Sequence, residues 1–170
     1  NVLDNNLVAF VLEKKKPNYQ CGKGVFKDGI HIIFPFIITE PKVQYLLRYN
    51  SIANENILNL FSSINAVNEP DDIFDIAVIE RNNWQMYGST KPNHEPYKLT
   101  NIYKNKDDAM KQIHNNFSDK DILKLLSIRH IKEDYVINNT MYSSNFDEQF
   151  SNIPKQQQLK KKKKVKHSHK

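Results

Sequence analysis

The chain has 170 residues, enough for one domain, and a formal charge of +6. It has no apolar run near the roughly 18 residues of a membrane span and no charged-then-apolar leader, so neither a span nor secretion is expected. A single cysteine, Cys21, excludes an internal disulfide and fits a reducing compartment. Eight lysines and no acid fall in 155–170, which turns +6 for the whole into −2 for the rest. General affinity for polyanions is therefore expected mainly in the tail.

In chain order, the apolar run Val8-Ala9-Phe10-Val11-Leu12 predicts a buried strand, with a helical turn as the alternative, ended by Glu13-Lys14-Lys15-Lys16-Pro17. Gly22, Gly24 and Gly29, three of the four glycines, concentrate backbone freedom just beyond it. From Gly29 to Phe34 the sequence alternates and predicts one strand. Ile30, Ile32 and Phe34 would share one face, and Lys27, Gly29 and His31 would point the other way. Val43, Leu46 and Leu47, then Ile57, Leu58, Leu60, Phe61 and Ile64, have helical spacing and predict core-packing helices. A turn at 68–72 leads into a predicted strand, Ile73 to Ile79, with Asp75 embedded in it, and a further strand is predicted from Tyr97 to Tyr103. Ser118 with Asp121 three residues later predicts a capped helix whose apolar face is Ile122, Leu125 and Leu126. From residue 135 the sequence turns to Asn, Ser, Gln and Lys and reads as a disordered, Lys-rich linker or tail over 135–170.

Two clusters mix residue types that a core does not need. In the first, Gly29-Ile30-His31 follows Lys27: a small residue lets the backbone approach a phosphate, the histidine donates to it, and the lysine supplies charge. Alone, a Gly-x-His also describes a structural strand histidine. The second runs from Asp75 through Asn82-Asn83-Trp84 and Met86-Tyr87-Gly88-Ser89 to Lys91, a mixture that suits a phosphate and metal site. Trp84 and Tyr87 read as packing under the sheet rather than as a base platform. Asp75 is either a turn acid or a metal ligand.

In order and spacing, KDGIHIIFP (Lys27 to Pro35) and DIAVIERNNWQMYGSTKPNHEPYKLT (Asp75 to Thr100) resemble the second and third motifs of archaeo-eukaryotic primases. The form is that of the primase-helicases of nucleocytoplasmic large DNA viruses, of poxvirus, asfarvirus and mimivirus type. The resemblance covers roughly residues 1 to 130 and only the primase end of such proteins. It implies an α/β (α+β) fold, the primase catalytic core, with an RNA-recognition-motif-like mixed sheet flanked by helices, partial here and spanning 1–134.

It also implies template-directed nucleotidyl transfer on single-stranded DNA in viral genome replication. His31 and Asp75 would be catalytic, and Lys27, Gly29, His31, Asn83 and Lys91 would bind the nucleotide. Asp75 would be one of three carboxylates on a two-metal Mg²⁺ or Mn²⁺ site. The other two belong to an Asp-x-Asp or Asp-x-Glu motif, but only Asp4, Glu13 and Asp28 precede His31. The expectation is a fragment that begins after that motif and is inactive alone. Gln85 stands where cellular relatives place an arginine on the triphosphate, so that contact is not expected.

Implied partners are nucleoside triphosphates, a single-stranded DNA template and a helicase domain downstream in the full protein, in the cytoplasm (virus factory) or nucleus of a host cell. The run Lys160, Lys161, Lys162, Lys163 and Lys164 adds an interdomain linker or weak nucleic-acid contacts. The competing reading is a non-catalytic nucleic-acid-binding or helicase-docking module that keeps the primase fold.

Overall fold

The computed structural model describes residues 7–82, 84–92, 94–127 and 144–158. They form two compact units, one drawn from 1–38 and 84–137, the other from 39–83 and 138–170. In chain order the elements are β1 (Val8–Glu13), β2 (Asn18–Gln20), β3 (Val25–Lys27), β4 (Ile30–Ile33), α1 (Pro41–Ala53), α2 (Asn56–Leu60), α3 (Pro70–Ile73), α4 (Ala77–Glu80), β5 (Lys98–Lys106), β6 (Ala109–Ile113), α5 (Asp119–Leu125), α6 (Phe146–Ser151) and α7 (Lys155–Gln158). The chain is α+β, as the sequence predicts.

The first unit is a four-stranded sheet of order β4-β1-β5-β6, every pairing antiparallel, with β2 and β3 forming a separate ribbon. β1 lies inside the sheet, which is why its sequence is continuously apolar: Val8, Phe10 and Leu12 are buried on one face and Ala9 on the other. Ile102 of β5 and Ile122 and Leu126 complete that core. Ser118 caps α5 by accepting from the Asp121 N–H, and the cap sets the helix so that Ile122 faces inward. Phe117 leaves its ring 5.4 Å from that of Phe10. Each fully buried side chain of this kind contributes roughly 1.5–3 kcal/mol.

β5 and β6 form a hairpin that the sequence reading missed. Its two turn residues, Asp107 and Asp108, have φ of 52° and 58°, the left-handed pair that a tight primed turn requires and that aspartate tolerates.

β4 departs from expectation. The single strand from 29 to 34 is confined to Ile30–Ile33, and Lys27 belongs to β3, opposite Asn18 in the ribbon. Lys27, Gly29 and His31 therefore do not project from one face of one strand. As the edge strand of the sheet, β4 turns Ile30 and Ile32 to solvent, while Ile33 packs on the core.

The second unit packs Tyr45 and Leu46 of α1 with Ile76, Phe146 and Ile153. Residues 144–158 are thus not the linker the polar composition suggests, because Phe146, Phe150 and Ile153 carry enough apolar surface to pin two short helices. The strand expected from Ile73 to Ile79 is instead α3, a turn and α4. Pro70 at the first position and Asp71 and Asp72 in the first turn favour a helix start, and only Ile76 of the apolar run is buried. Leu47, Leu58, Leu60 and Ile64, read as core residues, are exposed.

Arg48 holds this unit together. The side chain is 1% exposed; its Nε donates to the Phe74 carbonyl (2.7 Å), one terminal nitrogen to the Asp71 carbonyl (2.9 Å) and carboxylate (2.8 Å), and the other to Gln157 (2.7 Å). One planar fork thereby ties α1 to the end of α3 and to α7. Nearby, the Tyr45 hydroxyl donates to Glu80 (2.7 Å), and burial with that contact pushes the phenol up to about 12.

Replacing Arg48 by methionine keeps the stem but strands two carbonyls and a side-chain amide. We expect a loss of about 3–5 kcal/mol in chemical denaturation. Arg48→Lys should recover little of it, since one ammonium cannot reach three segments. A loss below about 1 kcal/mol for both variants would contradict this role.

Candidate functional site

β1 and β4 set the first unit's depression. Leu12 and His31 are register partners and lie side by side on one face, so buried Leu12 gives His31 an apolar neighbour. Two aromatic rings hold its imidazole: Tyr97 lies parallel to it, centroids 3.8 Å apart at 18°, and Trp84 presents an edge at 5.7 Å and 69°. Gln85, Tyr87, Ser89 and Leu126 complete the lining.

Gly29 has a steric reason for being glycine. A Cβ at this position would lie 2.7 Å from the Tyr97 hydroxyl oxygen. The Gly-x-His spacing thus lets one tyrosine occupy the space of the missing side chain and cover the imidazole two residues on. Asp28 caps the same turn, its carboxylate accepting from the Gly29 N–H (2.8 Å). Burial, and then the charge of Asp28, raise the Tyr97 phenol, so it stays protonated.

The opposite wall is built by a turn at 86–89. The Ser89 N–H donates to the Met86 carbonyl (3.0 Å), and Gly88 at the third position has φ of 78°, which favours glycine. The Gln85 amide donates back to the Ser89 carbonyl (2.7 Å), so the residue that replaces an arginine braces this loop. Tyr87 packs against the core, as expected, with its hydroxyl accepting from the Leu99 N–H (3.4 Å). A second turn brings the His94 N–H to the Lys91 carbonyl (3.1 Å), and the Thr90 hydroxyl donates to the His94 carbonyl.

Two cations act on this pocket. Burial first, then the charges of Lys14 and Lys91, lower the His31 pKa from its ordinary 6.5 and so favour the neutral imidazole. Lys14 Nζ also lies 5.0 Å from the Tyr97 ring centre. An imidazole N–H beside buried Leu12, with Lys14 over the ring stacked on it, suits a phosphate-bearing anion.

Of the residues named from sequence, His31 lines this depression, Gly29 lies against the Tyr97 that covers it, and Lys91 acts on it only through its charge. Lys27 is exposed on β3. Asn83 and the Lys160–Lys164 run lie outside the described residues. Asp75 belongs to the second unit, where it is exposed and its carboxylate accepts from the Ala77 N–H (2.9 Å), the geometry of a turn acid. Among the described residues no three His, Cys, Asp or Glu side chains gather as a metal would require, so these residues do not make up a two-metal site. Sequence reading missed Lys14 and Tyr97. Lys14 opens an ordinary-looking lysine triplet, and Tyr97 lies 66 positions from the histidine it covers.

Comparison with known proteins gives the family. Residues 1–103 match the family described as the C962R protein N-terminal AEP domain. The chain is 33% identical over 104 residues to the protein named "Putative helicase L207/L206" of Acanthamoeba polyphaga mimivirus, an alignment that covers 61% of this chain and 11% of that one. No solved structure matches significantly. Among the described residues no helix is long and apolar enough to cross a membrane. Because the family match spans residues 1–103, more than half of the 170, the chain belongs to the C962R-type AEP family, the archaeo-eukaryotic primases.

Proposed function

We propose that the first unit binds a nucleoside triphosphate for template-directed nucleotidyl transfer on single-stranded DNA, within a longer viral replication protein that also carries a helicase. The observation that supports it is the His31 imidazole clamped by Tyr97 and Trp84, with Lys14 over the Tyr97 ring. In this reading the imidazole N–H donates to a phosphate oxygen and the two ammonium groups neutralise its charge. Trp84 and Tyr97 fix the ring so that little freedom is lost on binding. Mg²⁺ or Mn²⁺ would supply the chemistry of transfer, at a site that the described residues do not make up. The helicase association draws on the name of the mimivirus relative, of which this chain spans about a tenth.

Titration of the 170-residue chain with a nucleoside triphosphate tests this. Replacing His31, Lys14 or Lys91 by alanine should each weaken binding roughly 10- to 100-fold, the scale of one hydrogen bond to a charged group. Ile32→Val, at an exposed position, should change nothing. Unchanged affinity in all three alanine variants would refute the pocket.

Gly29→Ala should cost about 1–3 kcal/mol by overpacking and should also weaken triphosphate binding, because Tyr97 must leave its stack. Adding Tyr97→Phe removes the clashing oxygen and should recover most of both losses. A double variant no better than Gly29→Ala would show that the hydroxyl is not what demands glycine.

The lowered pKa of His31 has a definite sign. The unfolded chain, with His31 near 6.5, binds more protons than the folded one below that pH. This contribution to stability is therefore complete above about pH 6.5 and is lost as the pH falls through the folded value. By NMR the His31 midpoint should lie below 6.5 in the free chain and rise on addition of triphosphate. A free-chain midpoint at or above 6.5 would contradict the packing described.

A further inference from the structure

The β2–β3 ribbon takes no part in the four-stranded sheet. A two-stranded ribbon is marginal in water by itself, and here a directly opposed aromatic pair, Tyr19 and Phe26, stabilises it, ring centroids 5.1 Å apart and tilted by 48°. The pairing leaves much of both rings in water: Tyr19 is 55% exposed and Phe26 70%. Gly24, with φ of 65°, closes the turn between them.

The charge around these rings is of one sign. From Lys14 to Lys27 the chain has five lysines and no acid. Lys15, Lys16, Lys23 and Lys27 are exposed, and none of the four forms an ion pair among the described residues. This contrasts with the net −2 of residues 1–154, so the ribbon is a local basic feature of the folded part and not a sample of its average.

We propose that this ribbon is a docking site for single-stranded nucleic acid, with the faces of Tyr19 and Phe26 taking unpaired bases and the lysines taking the phosphates between them. Unpaired bases and closely spaced phosphates together match both features of the ribbon. A duplex hides its base faces, and an acidic peptide answers the lysines but not the rings. That the strand is the template of a primase rests on the function proposed above, whereas the docking itself does not.

The test uses the whole 170-residue chain, a fluorescent oligothymidylate of about 12 nucleotides, and a nucleoside triphosphate titrated in parallel. Tyr19→Leu with Phe26→Leu should weaken oligonucleotide binding roughly tenfold and leave triphosphate binding unchanged. Lys15→Ala, Lys16→Ala and Lys23→Ala combined, which leave the aromatic pair and the fold intact, should lower the slope of log K against log salt by about 2. An oligonucleotide carrying 5-iodouracil should crosslink to the peptide containing Tyr19 or Phe26. Unchanged affinity and slope in both variants would overturn the proposal, as would equal weakening toward a duplex or polyglutamate. If the wild-type chain binds no triphosphate yet loses the oligonucleotide in these variants, the ribbon stands and the triphosphate pocket does not.

Discussion

Much of the first unit depends on one contact, the tyrosine that fills the space left by a missing Cβ. Tyr97 reaches the strand start at Gly29 with its hydroxyl and covers His31 with its ring. Because one rigid group makes both contacts, the identity of residue 29 and the orientation of residue 31 are coupled. The stack also shields part of the imidazole from water, which together with the charges of two lysines lowers its pKa. Packing and protonation at this site thus share one cause.

The second unit solves a different problem. Its helices are short, and α2 buries nothing, so apolar packing alone leaves segments loosely joined. Arg48 compensates by collecting acceptors from separate stretches of chain. Such a fork is costly to bury but specifies one arrangement, since no other donor satisfies the same carbonyls. Asp75, in the turn between α3 and α4, is spent locally on the Ala77 amide.

Local pattern was legible where local physics decides structure. The continuous run of β1, the cap at Ser118 and the β5 alternation all appear as their residues suggest. Gly29 and His31, two of the motif residues, share one partner in Tyr97. What the sequence could not convey was partnership across distance. β4 alternates, but its Ile30 and Ile32 meet solvent while half-buried His31 lines the depression. Ile73 to Ile79 looks like a strand by composition, yet Pro70 and the Asp75 turn commit it to helix. Arg48 gave no signal, because its partners come from residues 71, 74 and 157. The polar stretch after 135 concealed three apolar residues whose spacing matters more than the average composition.

The central claim is that the stacked His31 and its two lysines form a triphosphate pocket. A crystal structure of the chain with a non-hydrolysable nucleoside triphosphate tests it most directly. The account predicts phosphate oxygens within about 2.7–3.2 Å of a His31 ring nitrogen and of the Lys14 and Lys91 ammonium groups, with Tyr97 still stacked. A triphosphate bound elsewhere, with His31 left covered and uncontacted, would contradict it.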